Sequence, residues 1–347
     1  MKALILRQVT DTAQNPAPLE LVEIPVPVPG ENEIRINVTV CGVCHTELDE
    51  IEGRTPPSVF PMIPGHQVVG RVAEKGPGAH RFRIGDRVGV AWIFSTCGAC
   101  GHCINGEENL CPDFQATGRD APGGYAESMT VKEDFVFQIP DVFSDAEAAP
   151  LLCAGAIGMR SLRLSGIRKG QRMGLTGFGA SAHLVIQTVR HGYPGTRIYV
   201  FARSAAEREF ALTLGAAWAG DTTETPPEKL DAVIDTTPAW KPVVEALKHL
   251  KPGGRLVVNA IRKEEVDKKE LLGLDYPEHL WLEKEIKSVA NVARKDVSDF
   301  LRVAAEIPIK PHIQEFPLER ANEALLELKQ RKARGAKVLR IRHPDKE

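Results

Sequence analysis

The sequence predicts an α/β protein in two parts, a β-rich first domain and a doubly wound, parallel-sheet second domain. Two observations carry this. Up to about Pro150, short apolar runs are separated by proline and glycine turns, as in EIRINVTV (33–40), QVVGRVAE (67–74) and DRVGVAW (86–92). Short strands spaced in this way make barrels or sandwiches. Beyond that point strand-like runs alternate with helical ones, which means a parallel sheet with right-handed crossovers. A chain of 347 residues is also longer than one core usually supports.

The second domain can be followed element by element. QRMGLTGFGASAHLVIQTVRHG (171–192) reads as a strand, a glycine turn and a helix. TRIYVFARS (196–204) is a strand that runs into the helical AAEREFALTLG. DAVIDTT (231–237), a helix around KPVVEALKHL, and the strand RLVVNAI (255–261) continue the alternation. The chain closes on FPLERANEALLELKQRKARGAKVLRIR, a helix and a last strand whose domain is open from pattern alone. No internal repeat or low-complexity segment interrupts this order.

Composition narrows the function classes. Hydrophobic residues make up 43% and charged residues 26%, with a formal net charge of -2. These values suit a globular protein and give no electrostatic reason to expect nucleic acid or an anionic membrane as partner. The charged runs KEEVDKKE (263–270) and KQRKARGAK (329–337) read as solvated faces. No stretch approaches the roughly 20 apolar residues of a membrane span. MKALILRQV reads as a first strand and not as an export signal. A cytoplasmic, reducing location is therefore expected, where seven cysteines argue for metal or catalysis and not for disulfides.

CGACGHCINGEENLC sets Cys97, Cys100, Cys103 and Cys111 within a lobe at 95–113, with glycines at 98, 101 and 106 that let the backbone fold inward. The spacing suits a closed tetrahedral thiolate site with a structural role. Iron–sulfur ligation is the competitor, but there the fourth cysteine follows the third after three residues, and here seven intervene. Zinc is favoured, and His102 is left at the surface. Cys41, Cys44 and Cys153 remain. His66, in the turn PMIPGHQVVG, could join Cys44 and Cys153 around a second zinc with one open position. By spacing alone this is weak, since an isolated histidine or cysteine is commonly a core residue.

In the second domain G-x-G-x-x-A occurs as Gly177, Gly179 and Ala182 between a strand and a helix, the context of a pyrophosphate site. The next strand ends in Ala202-Arg203-Ser204, with Arg208 one turn on, and no acid stands where NAD is usually selected. Two arginines and a hydroxyl could grip a 2′-phosphate. NADP(H) is favoured, with NAD(H) the alternative. The competing reading makes both arginines solvated helix-start residues.

GVCHTEL, PGHQVVG, the four-cysteine lobe, APLLCAG (149–155) and GFGASA occur in one order. Together they resemble the zinc-dependent alcohol dehydrogenases of the medium-chain dehydrogenase/reductase superfamily, over nearly the whole chain. The resemblance implies a GroES-like catalytic domain at 1–153, a Rossmann coenzyme domain at 154–294, and a segment at 295–347 that returns to the catalytic domain. It implies two zinc ions, a catalytic one on Cys44, His66 and Cys153 and a structural one on Cys97, Cys100, Cys103 and Cys111. Thr46 matches the hydroxyl that takes the alcohol proton, His45 a coenzyme-phosphate contact, and Glu47 the acid that holds the ligand histidine. Asp49 falls where the proton relay ends, usually at a histidine. Gln67 stands where glutamate is usual, which removes a carboxylate near the metal. Trp92 matches a substrate-pocket wall, with core packing as the other reading. Cys41 has no family role.

The implied reaction is reversible hydride transfer between a primary or simple secondary alcohol, or its aldehyde or ketone, and NAD(P). A polyol dehydrogenase or a zinc-free enoyl or quinone reductase are the alternatives within the superfamily. A zinc-ribbon binding module is a different class, disfavoured because the lobe lacks a basic, aromatic face. The expected partner is a small-molecule substrate, with no nucleic acid or membrane. Relatives of this kind are homodimers or homotetramers.

Overall fold

A computed structural model describes residues 1–307, 309–330 and 335–341. Part of the basic run at 329–337, and the end of the segment at 295–347, lie outside the described residues. The chain divides at Cys153 into two compact units. Val292–Ala305 and the described residues from Lys310 onward group with the first unit, and Glu306–Ile309 with the second. In this division the stretch grouped with the first unit starts at Val292.

The first unit is organised by the strand Glu33–Val43, in which side chains alternate between core and periphery over the first half and are all buried over the second. It pairs antiparallel with Val68–Lys75, from Ile34↔Lys75 to Cys41↔Val68. Near its start it also pairs with Ser128–Lys132, and near its end with Ala336–Arg340, where Leu339 lies opposite Cys41. Arg87–Val90, Val136–Gln138 and Ile313–Pro317 complete a seven-stranded sheet. The last strand of the chain therefore lies beside the strand that delivers Cys44. A separate pair, Ile93–Ser95 with Gln115–Ala116, closes the base of the cysteine lobe.

The second unit holds six parallel strands in the spatial order Trp218–Gly220, Arg197–Phe201, Arg172–Thr176, Leu230–Asp235, Leu250–Val258 and Glu285–Ser288. Both faces are covered, as a parallel sheet requires. Alternate residues serve the two cores: Ile198 and Val200 pack with Leu175, Val185 and Ile186, while Tyr199 and Phe201 pack with Val233, Val243 and Leu247. Each large apolar side chain buried this way contributes about 1.5–3 kcal/mol. The order reverses between Arg172–Thr176 and Leu230–Asp235, and ligands of such sheets sit at the carboxyl ends beside that reversal.

Two expectations fail here, since Lys337, in the run at 329–337, is buried with its Nζ donating to Gln314 Oε1 at 2.9 Å. KEEVDKKE is not a uniformly solvated face, because the Lys263 side chain is 7% exposed and pairs with the fully buried Asp235. A charge run read from sequence takes each residue as solvated, whereas the first lysine of this one belongs to a loop folded back on the sheet.

Candidate active site

Three separate turns bring Cys44, His66 and Cys153 together. Cys44 follows the long strand directly and caps the helix His45–Ile51. His66 follows Gly65, whose φ of 97° favours glycine and whose missing Cβ leaves room for the Tyr125 ring. Cys153 ends the single turn Ala149–Leu152. The two Sγ atoms and an imidazole nitrogen lie within 4.8 Å of one another, and His66 Nε2 is 3.2 Å from Cys153 Sγ. Zn–S and Zn–N bonds of about 2.3 and 2.0 Å at tetrahedral angles set such atoms roughly 3.5–3.8 Å apart, so the donor set fits a zinc ion.

Glu47 fixes this arrangement from behind. Its Oε1 is 2.6 Å from His66 Nδ1, and its Oε2 accepts the Cys44 backbone N–H at 2.7 Å. One carboxylate thus orients one ligand ring and the backbone of another, and leaves Nε2 as the coordinating nitrogen. Burial works against a charged His66, but Glu47 and Cys44 outweigh it and hold its pKa well above the usual imidazole range. Contact between the two thiols draws Cys44 well below the usual thiol range and pushes Cys153 well above it.

The remaining residues of the opening helix take different places. Thr46 is buried with Oγ1 3.6 Å from Cys44 Sγ, whereas His45 is exposed. Asp49 is 4% exposed and accepts from Arg54 Nε at 2.6 Å. Gln67 lies over Gly42, where an added Cβ would come 2.5 Å from its Oε1. Trp92 is 3% exposed and meets the His66 ring edge-on, with centroids 5.0 Å apart. Cys41 is a fully buried strand residue apart from both sulfur groups.

Sequence reading missed two neighbours. The Arg119 guanidinium lies 5.6 Å over the Trp92 ring and pairs with Asp120 at 2.6 Å. Glu50 is 1% exposed, neither carboxyl oxygen is hydrogen-bonded among the described residues, and burial followed by Glu47 pushes its pKa well above the carboxylate range. Nothing local in HTELDEI separates Glu50 from an ordinary helix-surface acid.

In the lobe, Cys97, Cys100, Cys103 and Cys111 also gather within 4.8 Å. Cys111 and Cys97 are 3.5 Å apart, Cys100 and Cys103 3.6 Å, and Cys97 and Cys103 3.9 Å. The Cys100 N–H points to Cys97 Sγ at 3.3 Å, and Gly98 and Gly106 adopt positive φ to turn the backbone inward. His102, at the surface, has Nδ1 3.1 Å from an oxygen of exposed Glu107. Arg294 clamps the lobe by pairing with the buried Glu108 through its side chain and backbone.

The second unit carries the glycine turn at the sheet reversal. Gly177 has φ 75°, and a Cβ there would press on Thr236 and Thr237. At Gly179 an added Cβ would meet nothing, so open space lies beside the start of the helix Ala182–Gly192. That is where a pyrophosphate approaches the backbone. Ala182 is fully buried. Arg203 and Ser204 are exposed, and the Ser204 hydroxyl makes no capping bond. Arg208 differs: its Nη1 donates to the carbonyls of Ala202 at 2.7 Å and Arg203 at 2.9 Å, which braces the strand end. Among the described residues no helix is long and apolar enough to cross a membrane.

Comparison with known proteins agrees with this architecture. Residues 30–141 match the alcohol dehydrogenase GroES-like domain and residues 213–339 the zinc-binding dehydrogenase family. The chain is 43% identical to the "Probable alcohol dehydrogenase AdhA" of Mycobacterium tuberculosis, over 93% of each chain. It is 31% identical to an alcohol dehydrogenase of Geobacillus stearothermophilus over 98% of this chain and all of that one. A cobalt- and zinc-bound thermostable alcohol dehydrogenase from Pyrobaculum aerophilum superposes with a TM-score of 0.84 at 25% identity, covering 98% of this chain and 99% of the other. A GroES-like unit with a sulfur–imidazole donor set, joined to a doubly wound unit with a phosphate-binding turn, makes this chain a member of the zinc-dependent alcohol dehydrogenases of the medium-chain dehydrogenase/reductase superfamily, NAD(P)-linked oxidoreductases of alcohols and their carbonyl partners.

Proposed function

We propose that the chain catalyses reversible hydride transfer between a primary or simple secondary alcohol and NADP(H), with Cys44, His66 and Cys153 holding the catalytic zinc. The observation that carries this reading is the convergence of two sulfurs and Nε2 within 4.8 Å, with the other ring nitrogen 2.6 Å from Glu47 Oε1. When bound, zinc would supply Lewis-acid stabilisation of charge on the substrate oxygen, and the nicotinamide coenzyme would carry the hydride.

The chain's own residues do the rest. Glu47 keeps the His66 ring turned so that Nε2 stays a donor. Thr46 Oγ1, beside Cys44 Sγ, holds the proton that leaves the alcohol. Asp49 is a constrained relay end, because Arg54 already shares its proton-accepting oxygen. Trp92 walls the site against the imidazole. The lobe cysteines would hold a second, structural zinc, since four thiolates complete a tetrahedral site.

Exposed Arg203 and Ser204, with no acid at the strand end, support NADP(H) over NAD(H). Arg208 serves this preference indirectly, by bracing the carbonyls that precede Ser204. The enzyme is read as cytoplasmic and as a homodimer or homotetramer, which light scattering of the purified protein would check.

A metal assay together with a spectrophotometric screen of alcohols and carbonyls against both coenzymes tests the proposal. Two zinc ions per chain, one of them lost in Cys153→Ser along with activity, are expected. NADPH oxidation that weakens roughly 10- to 100-fold in Arg203→Ala, with NADH unchanged, is the signature of a lost charge-assisted contact. Retention of full activity in Cys153→Ser would overturn the ligand assignment. Better efficiency with NADH in the wild type, indifferent to Arg203, would overturn the coenzyme preference.

A further inference from the structure

The loop after the strand Leu250–Val258 has no regular structure through Val266, yet it is tied down at several points. Asn259 donates its backbone N–H to Asp235 O at 2.7 Å and its side chain to Ser181 Oγ at 3.4 Å, within the glycine turn. Lys263 Nζ pairs with Asp235 Oδ2 and donates to the carbonyls of Thr237 at 2.8 Å and Ala239 at 3.0 Å. All three of its donors are therefore used. The Glu264 N–H reaches Pro238 O at 2.7 Å, and Asp267 accepts the N–H groups of Trp240 and Lys241. Asp235 in turn accepts from Thr176 Oγ1 at 2.5 Å and Thr237 Oγ1 at 2.8 Å.

Most of these bonds fall just past the carboxyl ends of the two strands that flank the sheet reversal, while those of Asn259 follow the next strand and those of Asp267 lie at the start of the helix Lys241–His249. A buried ion pair of this kind adds little net stability, because desolvation offsets the attraction, but it fixes geometry. Loops can carry side chains to a ligand only if something rigid positions them.

We propose that residues 259–267 form a strap across the coenzyme crevice and that Lys263, through Asp235, is its positioning residue. This rests on the coenzyme reading above. Coenzyme affinity then depends on a side chain that touches no coenzyme atom, and the chemical step at the metal site does not.

The test uses the full-length zinc-loaded enzyme and calorimetric titration with NADPH and NADH. Lys263→Met is expected to raise the dissociation constant of the better coenzyme by about 10-fold, the weight of one charge-assisted bond. The KM for coenzyme rises with it, while kcat at saturating coenzyme and the zinc content stay as in the wild type. Lys263→Met alone leaves Asp235 buried and short of a cation, so Lys263→Met with Asp235→Asn removes that burden. The double variant should regain thermal stability and still bind coenzyme weakly. Recovery of wild-type affinity in the double variant, or unchanged affinity in Lys263→Met, would overturn the proposal. Absence of binding of either coenzyme to the wild type would instead overturn the coenzyme reading on which it stands.

Discussion

Residues 97–111 supply all four sulfurs of the lobe, whereas residues 44, 66 and 153 supply the three donors of the other group. The lobe is assembled by tight turns and held from outside by Arg294 on Glu108. In the split site the donors come from a strand end, a loop and a single helical turn, so the whole sheet must form before they meet. Buried Glu47, Thr46, Trp92 and Gln67 crowd around it. A local cluster can be filled and closed early, while a site gathered from distant turns keeps a free side for chemistry. The two groups share a donor element and differ in what surrounds it.

Variants can break this contrast. The largest effect is expected for Cys153→Ser: activity falls by about 10³-fold or more, since the Lewis acid contributes several kcal/mol to the barrier. The lobe metal should remain, as measured by metal analysis. Cys103→Ser should do the reverse, with a stability loss on the order of 2–5 kcal/mol and nearly unchanged kcat/KM for molecules that remain folded. Thermal melts with kinetics below the transition check it, and a large kinetic defect would show that the lobe is not insulated from the chemistry.

Glu47→Gln sharpens the comparison within one site. Loss of the charged partner of His66 should weaken catalytic metal retention by about 10- to 100-fold, read as the rate of zinc transfer to a chelator, with the lobe zinc as internal control. The smallest effect is expected for Gly42→Ala. Its Cβ would come 2.5 Å from Gln67 Oε1, so the amide must move, at a cost of about 1–3 kcal/mol in stability measured by denaturant titration.

The lobe was legible because its information is local: four cysteines and their glycines are neighbours in the chain. The alternating strands and helices of the second unit were legible for the same reason. Cys44, His66 and Cys153 were not separable from core residues by spacing, and it was the ordered set of motifs that singled them out. What no pattern carried was through-space pairing. Nothing in the local pattern shows Arg54 at 2.6 Å from Asp49, or the bonds from Arg208 to the carbonyls of Ala202 and Arg203. Glu50 and Arg119 gave no signal, because their importance lies only in what folds against them. Lys263 was misread for the same reason, as one more charge in a polar run.

The spacing of the lobe sulfurs has a practical consequence. Cys97 is exposed and Sγ–Sγ separations of 3.5, 3.6 and 3.9 Å leave the four thiols close enough to couple wherever no metal holds them apart. A stripped lobe would age by air oxidation into crosslinks that bar zinc from re-entering, so demetallated stocks kept without a thiol reductant should lose the capacity for reconstitution over storage.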